Sequence, residues 1–411
     1  MLHRTIAATG LLLSTFTALS PQTARDTKPP PASELVVSAG PLDRRHTLVA
    51  FNLPEVTGPL VLRDAAGTRL HLQVEADGRA WFVLPDLKAG TQRAYRLEPV
   101  TPGTPAGAMV AAMRGDVIDF TWEGRPVVSY QGGPGTLPAA DIKPIFQRGG
   151  YLHPVRTPSG RIVTDDYPED HRHHHGIWFA WTKTQFEGRE PDFWNVGDGK
   201  GRVEFEAIER TWNGPVHAGV HAKHRYVDLT SGSPKVVLSE LWETRVFAIG
   251  RAPRPYFLFD VDVQQTATAA PLHLPEYHYG GIGVRGAREF HGAANAAFLS
   301  SEGKDRSNGH ATRARWCHMS GRVNAQIAGL AILGHPSNVR APEPMRIHPT
   351  DPFFCYAPSQ LGAWQIAPGT PHSARYRFIV FDGPADPREI DRIWNDYAHP
   401  PAVTVTQGPR G

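Results

Sequence analysis

From residue 35 to about 98 the chain runs in short apolar and β-branched stretches broken by turn signals: ELVVSAG, HTLVAFNLP, PLVLRDAAG, RLHLQVEADG, RAWFVLPD and QRAYRLEP. In RLHLQVE, Leu70, Leu72 and Val74 point one way and His71, Gln73 and Glu75 the other, the period-two alternation of a half-buried antiparallel strand. The pattern predicts a small β-sandwich over 35–100. A TPGTPAG stretch at 101–107 ends it. Longer strand-like runs follow: DVIDFTW, PVVSY, RVEFEAIERTW, HAGVHAKHRYVDL, KVVLSELWETRVFAI, PYFLFDVDVQQTAT, ARWCHMS, AQIAGLAIL and ARYRFIVFD. Strands of this length favour a large antiparallel sandwich over 105–400 rather than a small barrel. One helix stands out near its end. Asp386 as N-cap, Pro387 at the first helical position and Glu389 form a capping box, and Ile390, Ile393, Trp394 and Tyr397 make one apolar stripe before Pro400. The fold class is therefore mainly β: a small N-terminal β-sandwich, then a large antiparallel β-sandwich with a C-terminal helix.

Composition narrows the function classes. The 411 residues hold 43 Lys+Arg against 40 Asp+Glu, a formal charge of +3, and 40% are hydrophobic. That apolar fraction is ordinary for a folded chain, and the near-balanced charge gives no broad drive toward nucleic acid or anionic membrane. His3 and Arg4 followed by an apolar stretch from Ile6 to Leu19 match a secretory signal peptide, placed at 1–24, with a polar, Pro-rich linker at 25–34. The expected location is secreted or periplasmic. No later run is long and apolar enough for a membrane span. An oxidising compartment would permit the two cysteines, Cys317 and Cys355, to pair.

Twenty histidines are distributed unevenly. The densest chemistry lies between Phe146 and Trp194, where Asp165, Asp166, Glu169, Asp170, His171, His173, His174 and His175 precede a Trp-rich run. Extended backbone would put His171, His173 and His175 on one face with His174 opposite, while a helix would bring together His171, His174 and His175. Pro168 and Gly176 favour a loop or strand entry. Neutral imidazoles beside carboxylates suit proton transfer near pH 7 or a borderline divalent metal, although the spacing is neither HExxH nor that of a Cys/His finger. A second patch, HLPEYHYGGIGVRGAREFH at 273–291, would place Glu276 and His278 together on one side of a strand as an acid/base pair. On this reading His153, His174, Glu276 and His278 are the candidate catalytic groups. Arg148, Asp166, Trp178, Trp194, Tyr279 and Arg285 are candidate substrate contacts, with the Trp rings as flat apolar walls. His171, His173 and His175 are the candidate ligands of a divalent metal, the one cofactor the pattern offers. No phosphate loop or GxSxG elbow is present. His318, His335, His348 and His372 are scattered and read as structural.

Together, R-x-G-Y-x-H-P-V-x-T-P-x-G from Arg148 to Gly160, D-D-x-P-x-D-H-x-H-H from Asp165 to His174, D-F-W at 192–194 and E-Y-H-Y-G-G-I-G-V-R from Glu276 to Arg285 resemble a bacterial PmoA-like, or methane oxygenase-like, family over about 105–400. The chain carries His175 where that family has Arg after the paired histidines. Long strands with a His/Glu set also resemble the supersandwiches related to sugar mutarotases. The expectation is a secreted carbohydrate-active enzyme, an epimerase, lyase or hydrolase, with Glu276 within about 8 Å of the histidine block. The alternatives are a metal-dependent enzyme, such as an oxygenase, and a noncatalytic carbohydrate-binding protein. The expected partner is a small-molecule or carbohydrate ligand, neutral or weakly anionic, and not nucleic acid.

Overall fold

The computed structural model describes residues 34–53, 58–100, 107–250 and 254–406. The leader expected at 1–24 and the linker up to residue 33 lie outside them. The bulk of the chain forms two eight-stranded antiparallel sheets. One runs in the order Met345–Ile347, Phe353–Tyr356, Gly281–Arg285, Ile177–Ala180, Tyr151–Val155, Arg125–Gln131, Val117–Trp122 and Met109–Arg114. The other runs Gly201–Trp212, His217–Asp228, Lys235–Phe247, Tyr256–Ala267, His372–Asp382, Gln326–Gly334, Trp316–Val323 and Ala296–Ser300. Period-two alternation decides what each strand buries. On Tyr256–Ala267, Phe257, Phe259, Val261 and Val263 enter the core shared by the two sheets, while Leu258 faces the opposite side.

The opposite side of the second sheet is covered by the helix Pro387–Ala398, which lays Ile390, Ile393 and Trp394 on Leu258, Leu333 and Ile379. Its N-terminus is capped as the sequence implies, with the Asp386 carboxylate accepting the Glu389 N–H at 3.3 Å. Among the described residues no helix is long and apolar enough to cross a membrane.

The N-terminal strands build a five-stranded and a three-stranded sheet around their own apolar cluster. Two features depart from the sequence reading. The strand expected through 70–75 breaks at Leu72: Arg69–His71 joins the larger sheet and Gln73–Val74 the smaller. Gln73, read as solvent-facing, is buried because it docks onto the large sandwich. Its Nε2 donates to the His217 carbonyl at 2.9 Å, and its Oε1 accepts the N–H groups of Val216 and His217 at 3.0 Å each. The second departure is at the far end, where Ala402–Thr406 returns to pair with Glu34–Ser38. The two cysteines do not pair. They are separate buried thiols on strands of different sheets, and burial pushes both up, Cys355 to about 12.

Candidate functional site

Ile177–Ala180 and Gly281–Arg285 pair near the middle of the first sheet, with Trp178 opposite Gly283. A Cβ at 283 would lie 2.9 Å from the Trp194 ring and 3.0 Å from Trp178, so only glycine admits both indoles. The chain enters Ile177–Ala180 through a compact loop closed by Gly176 N–H to Asp165 O (2.8 Å), Tyr167 N–H to His174 O (3.1 Å) and His174 N–H to His171 O (2.8 Å). This is neither a helix nor an extended strand, and it sorts the histidines in a way neither pattern predicts. The His174 ring lies 4.7 Å from both His171 and His173, whereas His175 turns away between Tyr151 and Tyr167 and holds Asp166 Oδ1 through Nδ1 at 2.8 Å. The expected trio of His171, His173 and His175 therefore does not converge on one point. The loop's turn at 171–174 puts His175 on the other side.

Other partners reach His171 from distant segments. Its Nδ1 is 3.0 Å from Asp170 Oδ2 and 3.4 Å from Asp351 Oδ2, and His348 Nδ1 is also 3.4 Å from Asp351 Oδ2. His348 and Asp351 sit at the ends of the short turn between Met345–Ile347 and Phe353–Tyr356, where the Asp351 N–H donates to His348 Nδ1 at 3.0 Å. Arg285, at the end of its strand, donates through Nη2 to Asp170 at 2.8 and 3.1 Å, and its Nη1 stands 3.6 Å from Asp351 Oδ2. His291 Nδ1 lies 3.4 Å from the same Nη2. Arg285 is only 1% exposed, yet its Nε and Nη1 have no hydrogen-bond partner among the described residues; the same holds for Nδ1 of buried His174. The His171 side chain, 32% exposed, keeps the cluster open to solvent.

The electrostatics follow from this layering. Burial alone would raise the Asp170 carboxyl, but its bond to His171 and the Arg285 charge outweigh that and hold it well below the usual carboxylate range. Burial, reinforced by the neighbouring imidazoles, pushes His173 down to about 4 and His174 well below the ordinary histidine value. His174 stacks against Phe353 at 4.8 Å and Trp178 at 4.9 Å, so the polar cluster rests on an aromatic floor.

That floor changes the role read for the tryptophans. Trp178 is 0% and Trp194 2% exposed, so neither offers a face on which a ligand could stack. Arg148 is also interior. It donates to the carbonyls of Phe179 and Gly149 beside the buried network in which Glu240 bonds His224, Tyr226 and Gln265. Asp166 is taken up by His175 and by the Tyr151 hydroxyl at 2.8 Å. His153 faces elsewhere. Its Nδ1 is 3.0 Å from Thr164 Oγ1, and it lines a cleft of about 620 Å³ with Arg156, Arg161, Asp165 and Arg288; burial lowers its pKa, partly offset by Asp166 and Asp165. Glu276 and His278 are not on a strand, because the strand begins only at Gly281; both are exposed. No hydrogen bond or ion pair among the described residues links Glu276 to the histidine block. Tyr279 bonds Asn195 at 3.0 Å and meets Trp194 edge-on.

Of the expected set, the structure thus gathers His171, His173, His174 and Arg285 and leaves His153, His175, Glu276 and His278 apart. Sequence reasoning missed His348, which it took as structural, together with Asp351 and His291. The signal that could have found them is the HPTD turn, whose first and fourth residues stand at the two ends of one tight bend.

Comparison with known proteins gives one family. Residues 117–395 match a family of unknown function, DUF6807. This match overturns the PmoA-like resemblance over the same stretch. No curated protein matches the sequence. Among solved structures, the chain is similar to an alpha-mannosidase from Enterococcus faecalis, at 9% identity over 92% of this chain and 46% of that one, with a TM-score of 0.43. It is also similar to a heparan sulfate lyase from Pedobacter heparinus, at 12% identity over 69% of this chain and 38% of that one, with a TM-score of 0.26. These neighbours are carbohydrate-active enzymes of low identity, and the chain spans less than half the length of each.

Proposed function

The chain belongs to DUF6807, a family of unknown function, and we propose that it is a carbohydrate-active enzyme whose acid–base chemistry takes place at Asp170, His171, Arg285, His348 and Asp351. The observation that carries this reading is Asp351 Oδ2, on which two imidazole nitrogens converge at 3.4 Å each and the Arg285 guanidinium at 3.6 Å. A carboxylate set between imidazoles, open to solvent on one side, is an arrangement for handing protons to and from a bound molecule. Arg285, itself buried, stands behind the cluster and fixes the Asp170 and Asp351 carboxylates through its guanidinium. Because the aromatic floor is covered, the ligand is held by hydrogen bonds rather than by stacking. So many donors and acceptors in a small area suit a polyhydroxylated molecule, hence a sugar or uronic acid.

Proton NMR in deuterated buffer, across a panel of neutral and acidic mono- and disaccharides, tests the proposal. The expected result is deuterium exchange at carbon, or a new anomeric or vinylic signal, for at least one sugar, with His171→Ala and Arg285→Met each slowing it about 100-fold or more. Silence across the panel, or full rates in both variants, would sink the reading.

A further inference from the structure

We infer that His171, His348 and Asp351 form a binding site for a zinc ion, with a fourth position open to water or a substrate oxygen. The three donor groups lie within 4.8 Å of one another, and both imidazole-to-carboxylate separations are 3.4 Å. Taken by themselves, the two carboxylate separations fit a tetrahedral ion, and the third, between the two imidazoles, lies within 4.8 Å. Two ligands 2.1 Å from a tetrahedral ion stand about 3.4 Å apart, whereas neighbouring ligands of an octahedral ion at the same bond length stand about 3.0 Å apart. Two nitrogens and one oxygen also suit zinc, while calcium and magnesium take oxygen donors.

Charge points the same way. Asp170 and Asp351 against Arg285 leave one negative charge before the ion arrives. Arg285 occupies the outer layer. Buried, with Nη1 turned toward Asp351 at 3.6 Å, it steadies the ligand carboxylate. Binding requires an exchange at each imidazole. His348 Nδ1 gives up the N–H groups of Asp351 and Thr350 and the Thr350 hydroxyl, and His171 Nδ1 gives up Asp170. Zinc would lower the pKa of its bound water to about 7, so the proton acceptor would be the ion's own hydroxide. The inference rests on the proposed function only in taking this cluster as the reactive one; metal binding is measured without any sugar.

The full chain, purified without an affinity tag and stripped by chelator, would be titrated with zinc chloride by calorimetry and with cobalt(II) by visible absorption. We expect one zinc per chain, the intense visible bands of tetrahedral cobalt, and a rise in melting temperature with zinc. His348→Ala and Asp351→Asn should abolish all three, while His71→Ala, an exposed histidine of the small sandwich, should leave them unchanged. Circular dichroism of each apo variant checks that it is folded, and the wild-type result decides alone if one is not. Less than about a tenth of a zinc per chain, weak octahedral cobalt bands, or full binding by folded Asp351→Asn would overturn the inference. Zinc bound without sugar turnover defeats only the proposed function, and sugar turnover by a protein that binds no zinc defeats only this one.

Discussion

At the scale of single residues, the site depends on a position that carries no chemistry. Gly283 lets two indoles close beneath His174, and a methyl there meets ring atoms that are themselves buried. Gly283→Ala should therefore destabilise the fold by about 1–3 kcal/mol through overpacking. It should also disturb the near-ultraviolet circular dichroism of the tryptophans; a melting curve and spectrum identical to wild type would mean that the rings can yield. The same scale explains why the site was only half legible in the sequence. The block from His171 to His175 announced itself by density. Its effective partners, His348 and Asp351, lie far along the chain in a four-residue turn. They meet the block only because Phe353–Tyr356 pairs with Gly281–Arg285 and that strand with Ile177–Ala180. Alternation arguments failed at His175 for a related reason, since the turn at 172–173 resets the chain before His175 bridges to Asp166.

Elements were more legible than contacts. The long strands of the second sheet and the capped helix follow from apolar periodicity and from Asp386, Pro387 and Glu389, all local signals. What the helix does is not local. Asp396 accepts from Arg44 and Thr47 at 2.8 Å each and from Arg392 at 2.6 Å, clamping the small sandwich to the helix. Arg44 is almost fully buried, so Asp396→Ala strands a cation and should cost about 3–5 kcal/mol. Urea unfolding measures this; a loss below about 1 kcal/mol would mean that water reaches Arg44 once the carboxylate is gone. The break at Leu72 was illegible because both halves keep the alternation of one strand, and only the docking of Gln73 against His217 separates them.

At the scale of the whole molecule, the small and large sandwiches meet at Glu75, which faces His217 at 3.2 Å and Arg245 at 3.1 Å. Burial would raise its carboxyl, but these two partners bring it from 4.5 down to about 2. A group depressed in the folded state contributes its stability above pH 4.5 and loses it as pH falls toward 2. Thermal unfolding between pH 6 and pH 2.5 should accordingly drop more steeply for wild type than for Glu75→Gln, and parallel curves would remove Glu75 as the cause. The strand Ala402–Thr406 completes the sheet that Glu34–Ser38 begins. During synthesis, then, the first of the described strands waits for the last of them. The small sandwich is closed only after every strand around the histidine cluster has been made.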